Sequence, residues 1–555
     1  MLKKFSTTVL FILLVISCAR QGTPSGGPKD ETPPKYLSSN PDTLSLNVPV
    51  DLTEIKINFD EYLILKDHQT QLVVSPPFEK SANYLPVGTA AKTIRIKLNE
   101  PLKENTTYNF NFGSAVQDHN EGNILKDFQF VFSTGDYIDS LEISGKATVP
   151  SLRKQPKDLV IGLFKIDSAY SDSIVMKQKP FYLARPDAEG NFKLNYLHSG
   201  EYQMIAFNDE VQNLQFDPEK EKIGFVDGSV LLDSNQKINI ELFDQLPDYK
   251  VVRGEQKAYG HLAFKFKGQP EEVEVRPLDF DFTTSEQSYS SRSDSLNFWF
   301  NPGIDSIAEN SKRLKFEVKH KGQSDTVSIV YSNSHKHNLK LESKSKLGLS
   351  PARKLKMTSN YPIVKFDSTL IKVKKDSLVF DVSLIQNQKN KNEFMIDFPV
   401  ELSSKYDVEF YPGAVTDIFG KVNDSMKYSF STRARNDYGN LILNLRNVPE
   451  HPFFIELYND KDELLETEYT TSAEFFYNYL TPGNYYFRIL VDVNENLFWD
   501  TGDFFSRTHP EPALIYPAVI NVRAMWDTEE TWMLPFVSET DTKKESSAVL
   551  EEDSD

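Results

Sequence analysis

Residues 472–504 read SAEFFYNYLTPGNYYFRILVDVNENLFWDTGDF, and this stretch decides the fold. EFFYNYL and YYFRILV read as strands, rich in aromatic and branched residues. A Pro-Gly turn joins them. An Asp- and Asn-rich loop follows the second. The same order occurs in residues 187–225, DAEGNFKLNYLHSGEYQMIAFNDEVQNLQFDPEKEKIGF. Each copy runs Phe, Tyr-Leu, a Gly turn, Tyr, a strand and an acidic loop. Each also follows a Gly-led strand, ISGKATV or YGNLILNL. Recurrence over this length marks a duplicated module.

A second pair of repeats lies outside the first. LKENTTYNFNFGSAVQDHNEGNILKDFQFVFSTG starts at Leu102, and LSSKYDVEFYPGAVTDIFGKVNDSMKYSFSTR starts at Leu402. Leu, Tyr, Ala-Val-x-Asp, a Gly turn and a closing Phe-Ser-Thr strand recur in order. Period-two alternation also fills EIKINFDEYL, TIRIKLNEPL, RLKFEVKHKG and TVSIVYS. No long segment has a helical period. The fold class is all-β, a tandem of β-sandwiches.

The chain opens MLKKFSTTVLFILLVISC. Two lysines precede an apolar run from Val9 to Ile16, too short to span the ~30 Å hydrocarbon core. It reads as a signal segment rather than an anchor. Val15-Ile16-Ser17-Cys18 resembles a bacterial lipobox, which makes Cys18, the single cysteine, the lipidation site. At ~0.8 kcal/mol per buried methylene, two acyl chains already anchor a protein stably. With one cysteine, no internal disulfide can form. Residues 18–34 are rich in Gly, Pro and Ser and read as a tether. Within it, Lys29-Asp30-Glu31 is similar to the surface-export signal of Bacteroidota lipoproteins. The reading is therefore a lipid-anchored outer-membrane protein on the cell surface.

The 62 basic and 80 acidic residues leave a net charge of −18. That disfavours nucleic acid, which is gripped by Lys and Arg. Residues 1–17 are the signal and 538–555 an acidic, disordered tail. Residues 35–136 resemble the bacterial Ig-like domain of S-layer proteins, and 350–434 are a second copy. Residues 137–245 and 435–537 resemble transthyretin-like, carboxypeptidase-regulatory-like modules. Residues 246–349 are an unassigned sandwich.

The acidic loop of the last module has EF-hand spacing. Asp492, Asn494, Asn496, Asp500 and Asp503 fall at loop positions 1, 3, 5, 9 and 12. A strand before the loop and Leu497 where an EF-hand has Gly argue against a sensor, which needs a helix pair to open. The loop is either a structural calcium clip or an Asn/Asp-stabilised turn. In the Asp209 copy, Val211 holds position 3 and Lys220 position 12, with Glu221 next. The loop can therefore form without the full ligand set.

Catalytic motifs are missing: there is no nucleophile elbow, zinc-protease helix or phosphate loop. Ser151 and Lys154 match Ser-x-x-Lys without its companions and read as a polar loop. His335 and His337 lack further zinc ligands and read as a solvated segment. Trp299 and Trp499 are candidates for sugar stacking, with alternation favouring a core place for Trp299. Asp-Ser/Thr-apolar triplets place Thr43, Ser140, Ser168, Ser173, Ser295, Ser306, Thr326, Ser368, Ser377 and Ser425 in a pattern that resembles the O-glycosylation motif of exported Bacteroidota proteins. Asp-Ser turns before strands explain the same pattern.

The whole resembles a multi-domain Ig-like lipoprotein of Bacteroidota. The resemblance implies a non-catalytic scaffold binding protein partners beside β-barrel assembly or surface-lipoprotein export machinery. A surface glycan-binding or adhesive lipoprotein is the alternative. A row of sandwiches on a tether is the expected shape.

Overall fold

The computed structural model describes residues 30–536 except 127, 169, 280, 281, 283, 303–311, 333, 334, 345, 346 and 389. The signal segment, Cys18, Lys29, Ser306 and the acidic tail lie outside the described residues. Strands carry the described chain, and its helical turns span three to five residues. No helix among them is long and apolar enough to cross a membrane. The all-β tandem is what the structure has.

Alternation explains the first sandwich. In Glu54–Leu65, Ile55, Ile57, Phe59, Leu63 and Leu65 point inward and are buried. A register shift after Asn58 bends this strand. It can then pair with both Ala91–Lys97 and Val116–Asp118. The facing sheet is Val73–Ser75, Thr107–Asn111 and Gln129–Ser133. The fourth sandwich repeats its fine structure. Tyr108 Oη accepts from Lys103 N at 2.8 Å, and Tyr406 Oη from Glu401 N at 2.6 Å. The Asp of each Ala-Val-x-Asp, Asp118 or Asp417, is buried and accepts backbone N–H groups of its own turn.

The second and fifth sandwiches also match. Each has a central antiparallel pair, Leu159–Lys165 with Gly200–Asn208 and Phe453–Asn459 with Gly483–Val491. Each has an opposite sheet closed by a parallel strand, Gln236–Lys237 beside Leu141–Thr148 and Asp527–Met533 beside Gly439–Arg446. Leu159–Lys165 breaks the alternation, because LVIGLF is buried throughout. Leu159, Ile161 and Leu163 fill the module's own core. Val160 and Phe164 fill a second apolar layer on the outer face.

The third sandwich stacks Lys250–Ala258, His261–Lys267, Ser295–Phe300 and Ser285–Tyr289 on Glu274–Pro277, Lys312–His320 and Gln323–Tyr331. The boundary expected at 349/350 falls earlier. Strand Leu341–Ser343 pairs with Leu355–Ser359, and Leu339, Leu341 and Leu349 join the fourth core. By sequence these leucines fall in the unassigned third sandwich.

The modules do not form a row. The fifth folds back on the second across more than 250 residues, and Phe504 enters the second module's outer layer. The fifth also meets the third through Arg292 and Asp500, and the fourth through Arg353, which donates to the Asn478 carbonyl at 3.0 Å. Gly260 of the third module lies against Phe419 of the fourth, where any Cβ would come within 2.7 Å of the ring.

Candidate functional site

The fold-back runs through the acidic loop. Strand Gly483–Val491 delivers Asp492 into a fully buried position. Its Oδ1 accepts from Asn496 N at 3.0 Å, and its Oδ2 from Leu497 N at 2.8 Å and Tyr469 Oη at 2.9 Å. Burial, then the hydrogen bond to Asp492 and its charge, push the Tyr469 hydroxyl up to about 12, so it remains a donor. Glu511 secures the other side. Its Oε1 accepts from Val493 N at 2.7 Å and its Oε2 from Asp500 N at 2.8 Å. Asn494 and Asn496 side-chain amides donate to Asp500 Oδ2 at 2.7 and 2.8 Å. Glu495 and Leu497 sit at φ 58° and 69°. Such strained backbone persists only where its surroundings over-determine it, as these carboxylates do.

The first copy shares the frame. Asp209, also fully buried, accepts from Asn213 N at 2.9 Å and Leu214 N at 3.1 Å. Glu221 accepts from Val211 N at 3.4 Å and Asp217 N at 2.9 Å. Gln212 and Leu214 take φ 58° and 60°. Glu511 is a frame residue that sequence reasoning missed, and Glu221 appeared there only as the neighbour of loop position 12. Glu221 and Glu511 stand 12 and 19 positions after their aspartates, so no fixed spacing marks them.

The five EF-hand-spaced residues do not meet at one point. Asp492 faces backbone N–H groups, whereas Asn494 and Asn496 turn N–H₂ groups, not carbonyls, toward Asp500. Asp503 faces away, accepting from Gln245 Nε2 at 2.8 Å and Ser506 Oγ at 2.7 Å. A calcium site needs six to eight converging oxygens, so as placed these residues do not fit one. Among the described residues, no group of three or more His, Cys, Asp or Glu is arranged to hold a metal. What the loop has is an internally hydrogen-bonded turn.

The outer side of the turn is apolar and specific. Phe504 is fully buried against Phe216 and Phe225, with ring centroids 6.4 and 5.9 Å away. Its backbone N donates to Gln245 Oε1 at 2.9 Å, and Thr501 Oγ1 donates to the Asp244 carbonyl at 2.7 Å. Arg507 pairs with Asp172 and lies 4.8 Å from the Phe504 ring. His509 stacks on Phe225 at 4.4 Å. Asp500 pairs with Arg292. Burial opposes ionisation of Asp500, but hydrogen bonds from Asn494, Arg292 and Asn496 outweigh it and hold its pKa below the usual value. Gly502 admits the contact, because a Cβ there would lie 2.7 Å from the Phe243 ring. Phe243 is itself buried and cannot retreat. Gly502→Val should therefore destabilise the closed arrangement by about 1–3 kcal/mol of overpacking. Thermal unfolding would show it, and an unchanged midpoint would mean the seam is loose.

The other candidates scatter. Thr43, Ser140, Ser168, Thr326, Ser368, Ser377 and Ser425 are exposed, and Ser173 and Ser295 half-buried. Trp299 is buried in the fourth core. Trp499 is half-buried, its Nε1 donating to the Glu511 carbonyl at 2.9 Å. Ser151 and Lys154 lie on the seam between modules two and five: the Ser151 carbonyl accepts from Arg488, and Lys154 pairs with Asp462. His335 is exposed, but His337 is not in a solvated segment. It stacks on Tyr361 at 4.8 Å and pairs with buried Asp417. The aromatic partners come from distant strands, which the local polar sequence hides.

Residues 30–134 match the family model described as a bacterial Ig-like domain. No curated protein matches the sequence. Among solved structures, the chain is similar to BcpA, the major pilin subunit of Bacillus cereus, at 11% identity and TM-score 0.13, covering 71% of this chain and 99% of that one. Surface layer protein SbsC, domains 1–6, matches at 11% identity and TM-score 0.15, covering 89% and 68%. A DUF3823 family protein from Parabacteroides merdae matches at 12% identity and TM-score 0.13, covering 35% and 100%.

Proposed function

We propose that this chain is a non-catalytic, lipid-anchored scaffold of the outer membrane that binds protein partners at the cell surface. In this reading it serves as an accessory of outer-membrane protein assembly or surface-lipoprotein export. The supporting observation is the closure of the last module onto the second and third. Five sandwiches held as one body keep their edges and loops at fixed relative positions, which a partner-binding frame requires. The lipobox resemblance at Cys18 and the similarity of Lys29-Asp30-Glu31 to an export signal supply the anchor and the address.

Affinity purification from native membranes in mild detergent tests this. Stoichiometric co-recovery of an outer-membrane barrel or its assembly proteins is expected, and recovery as a lone monomer would count against the scaffold. Intact mass of the same material tests the O-linked sites, which are proposed at the exposed Asp-Ser/Thr turns; a mass equal to that of the lipidated polypeptide alone removes them. The glycan-binding alternative loses Trp299 and Trp499 as stacking platforms. It keeps Trp526, which is 61% exposed with Arg523 5.6 Å from its ring. Glycan-array binding abolished by Trp526→Ala would favour it over the scaffold.

A further inference from the structure

The first two modules share a short seam. Ser75 Oγ donates to the Leu183 carbonyl and accepts from Leu183 N, both at 3.2 Å. Val73 of the first module enters the second module's outer layer. Beside this seam lies a cleft of about 560 Å³. Residues from His68 to Tyr84 form one wall, and the other comes from Lys179, Leu183, Arg185 and residues 211–214. Because the seam fixes both walls, the cleft is preformed.

Its lining is one-sided in charge. Leu72, Val74, Phe78 and Leu183 give it an apolar part within a lining that is otherwise polar, Lys179 and Arg185 bring two cations, and no Asp or Glu lines it. This is notable in a chain of net charge −18. Lys179 faces only a neutral acceptor, and Arg185 is ion-paired on one side alone. Lys179 Nζ donates to the Phe78 carbonyl at 3.3 Å. Arg185 lies 3.6 Å from Asp209 Oδ2, beyond hydrogen-bond range, and that buried oxygen has no hydrogen-bond partner. In the repeat, the matching Asp492 Oδ2 has two donors. The first copy of the loop thus leaves its arginine half-committed and turned to a cavity. Cations partly withdrawn from water beside apolar walls favour an incoming anion that carries its own apolar surface.

We propose that this cleft binds an amphipathic anion, a carboxylate or phosphate carried on an apolar chain. Lys179 and Arg185 answer the charge, and Leu72, Val74 and Leu183 cover the chain. The test is calorimetric titration of the full chain with octyl phosphate, octyl glucoside as the uncharged amphiphile, and inorganic phosphate as the bare head. Octyl phosphate should bind with one-to-one stoichiometry, at least tenfold more tightly than either control. Lys179→Gln, which gives up one hydrogen bond across the seam, to the Phe78 carbonyl, but leaves the Ser75–Leu183 pair and Asp209 untouched, should weaken it at least tenfold, and Arg185→Gln likewise, in variants that keep their melting temperature. Equal affinity for octyl glucoside or for inorganic phosphate overturns the proposal, as does full affinity in Lys179→Gln or no binding at all. Vesicles containing phosphatidic acid separate the sources. Lys179-dependent co-sedimentation assigns the anion to a lipid. Octyl phosphate binding without co-sedimentation assigns it to a free amphiphile.

Discussion

Replacing Phe504 with alanine should cost about 3–5 kcal/mol, the range for truncating a buried Phe, and should free the fifth module from the second. The side chain is fully buried, yet none of its apolar neighbours is local in sequence except Phe505. Phe216, Phe225 and Phe243 of the second module surround it. The loss would therefore fall on the seam and not on the last module's own core of Leu441, Ile455 and Phe487. Two observations separate this from general destabilisation. Amide exchange should accelerate in Lys222–Phe225 and at Phe243 while Gly439–Arg446 stays protected. Small-angle scattering should show a larger radius of gyration. If exchange rises everywhere together, the modules fold as one cooperative unit and Phe504 is an ordinary core residue. If neither quantity moves, the closed arrangement is wrong.

This closure reassigns the acidic loop. Its inner face is a network of carboxylates serving backbone N–H groups, whose hydrogen bonds offset the cost of burying the charge. Its outer face presents one aromatic side chain and one arginine to a neighbour. Rigidity inside thus makes the outer contact specific: a loop that wandered would lose entropy on docking. The same frame in the second module carries Phe216, which receives Phe504, and Glu219, which pairs with Lys267 of the third module, while its other side borders the cleft. Duplication supplied one device that the two copies apply to different neighbours.

Much of this was legible before the structure. Both repeats hold down to the backbone, where Tyr196 and Tyr479 share φ near 60°, as do Leu214 and Leu497. Alternation found the strands because a two-residue period survives wherever one face meets a core. Contacts between modules were harder to read, since they depend on residues hundreds of positions apart. A sign was present even so. LVIGLF and YQMIAF do not alternate, and a strand apolar on both faces must be covered on both. That pattern singles out the second module as the one with a partner on its outer face. Nothing local could have named Phe504 as that partner, or placed His337 against Tyr361 and Asp417. The start of the fourth module was missed because Leu339 and Leu341 stand alone among polar residues, with too short a strand to show a period.

Asp492→Ala carries the second large effect, about 2–4 kcal/mol, because it strips the acceptor from three donors at once and an unsatisfied buried group costs about 1–3 kcal/mol. Two of the three, Asn496 N and Leu497 N, lie at the exposed edge of the loop and regain water, which keeps the sum below three full penalties. Tyr469 Oη is the one left most exposed to the loss. The calcium dependence decides between the clip and the turn. If the carboxylate acts through backbone N–H groups, the melting temperature falls equally in millimolar calcium and in chelator, and calcium leaves the unsubstituted protein unchanged. If a cation completes the loop, calcium raises the melting temperature of the unsubstituted protein and the substitution removes that gain alone. Asp492→Asn sharpens the choice. It keeps one acceptor but turns an N–H₂ group toward Leu497 N or Asn496 N, so a turn built on hydrogen bonds should lose nearly as much as with alanine. Asp209→Ala offers the internal comparison. Its Oδ2 has no hydrogen bond to lose, only the 3.6 Å ion pair with Arg185, so the first copy should give up less hydrogen-bond energy than the second, an ordering that involves no property of a metal.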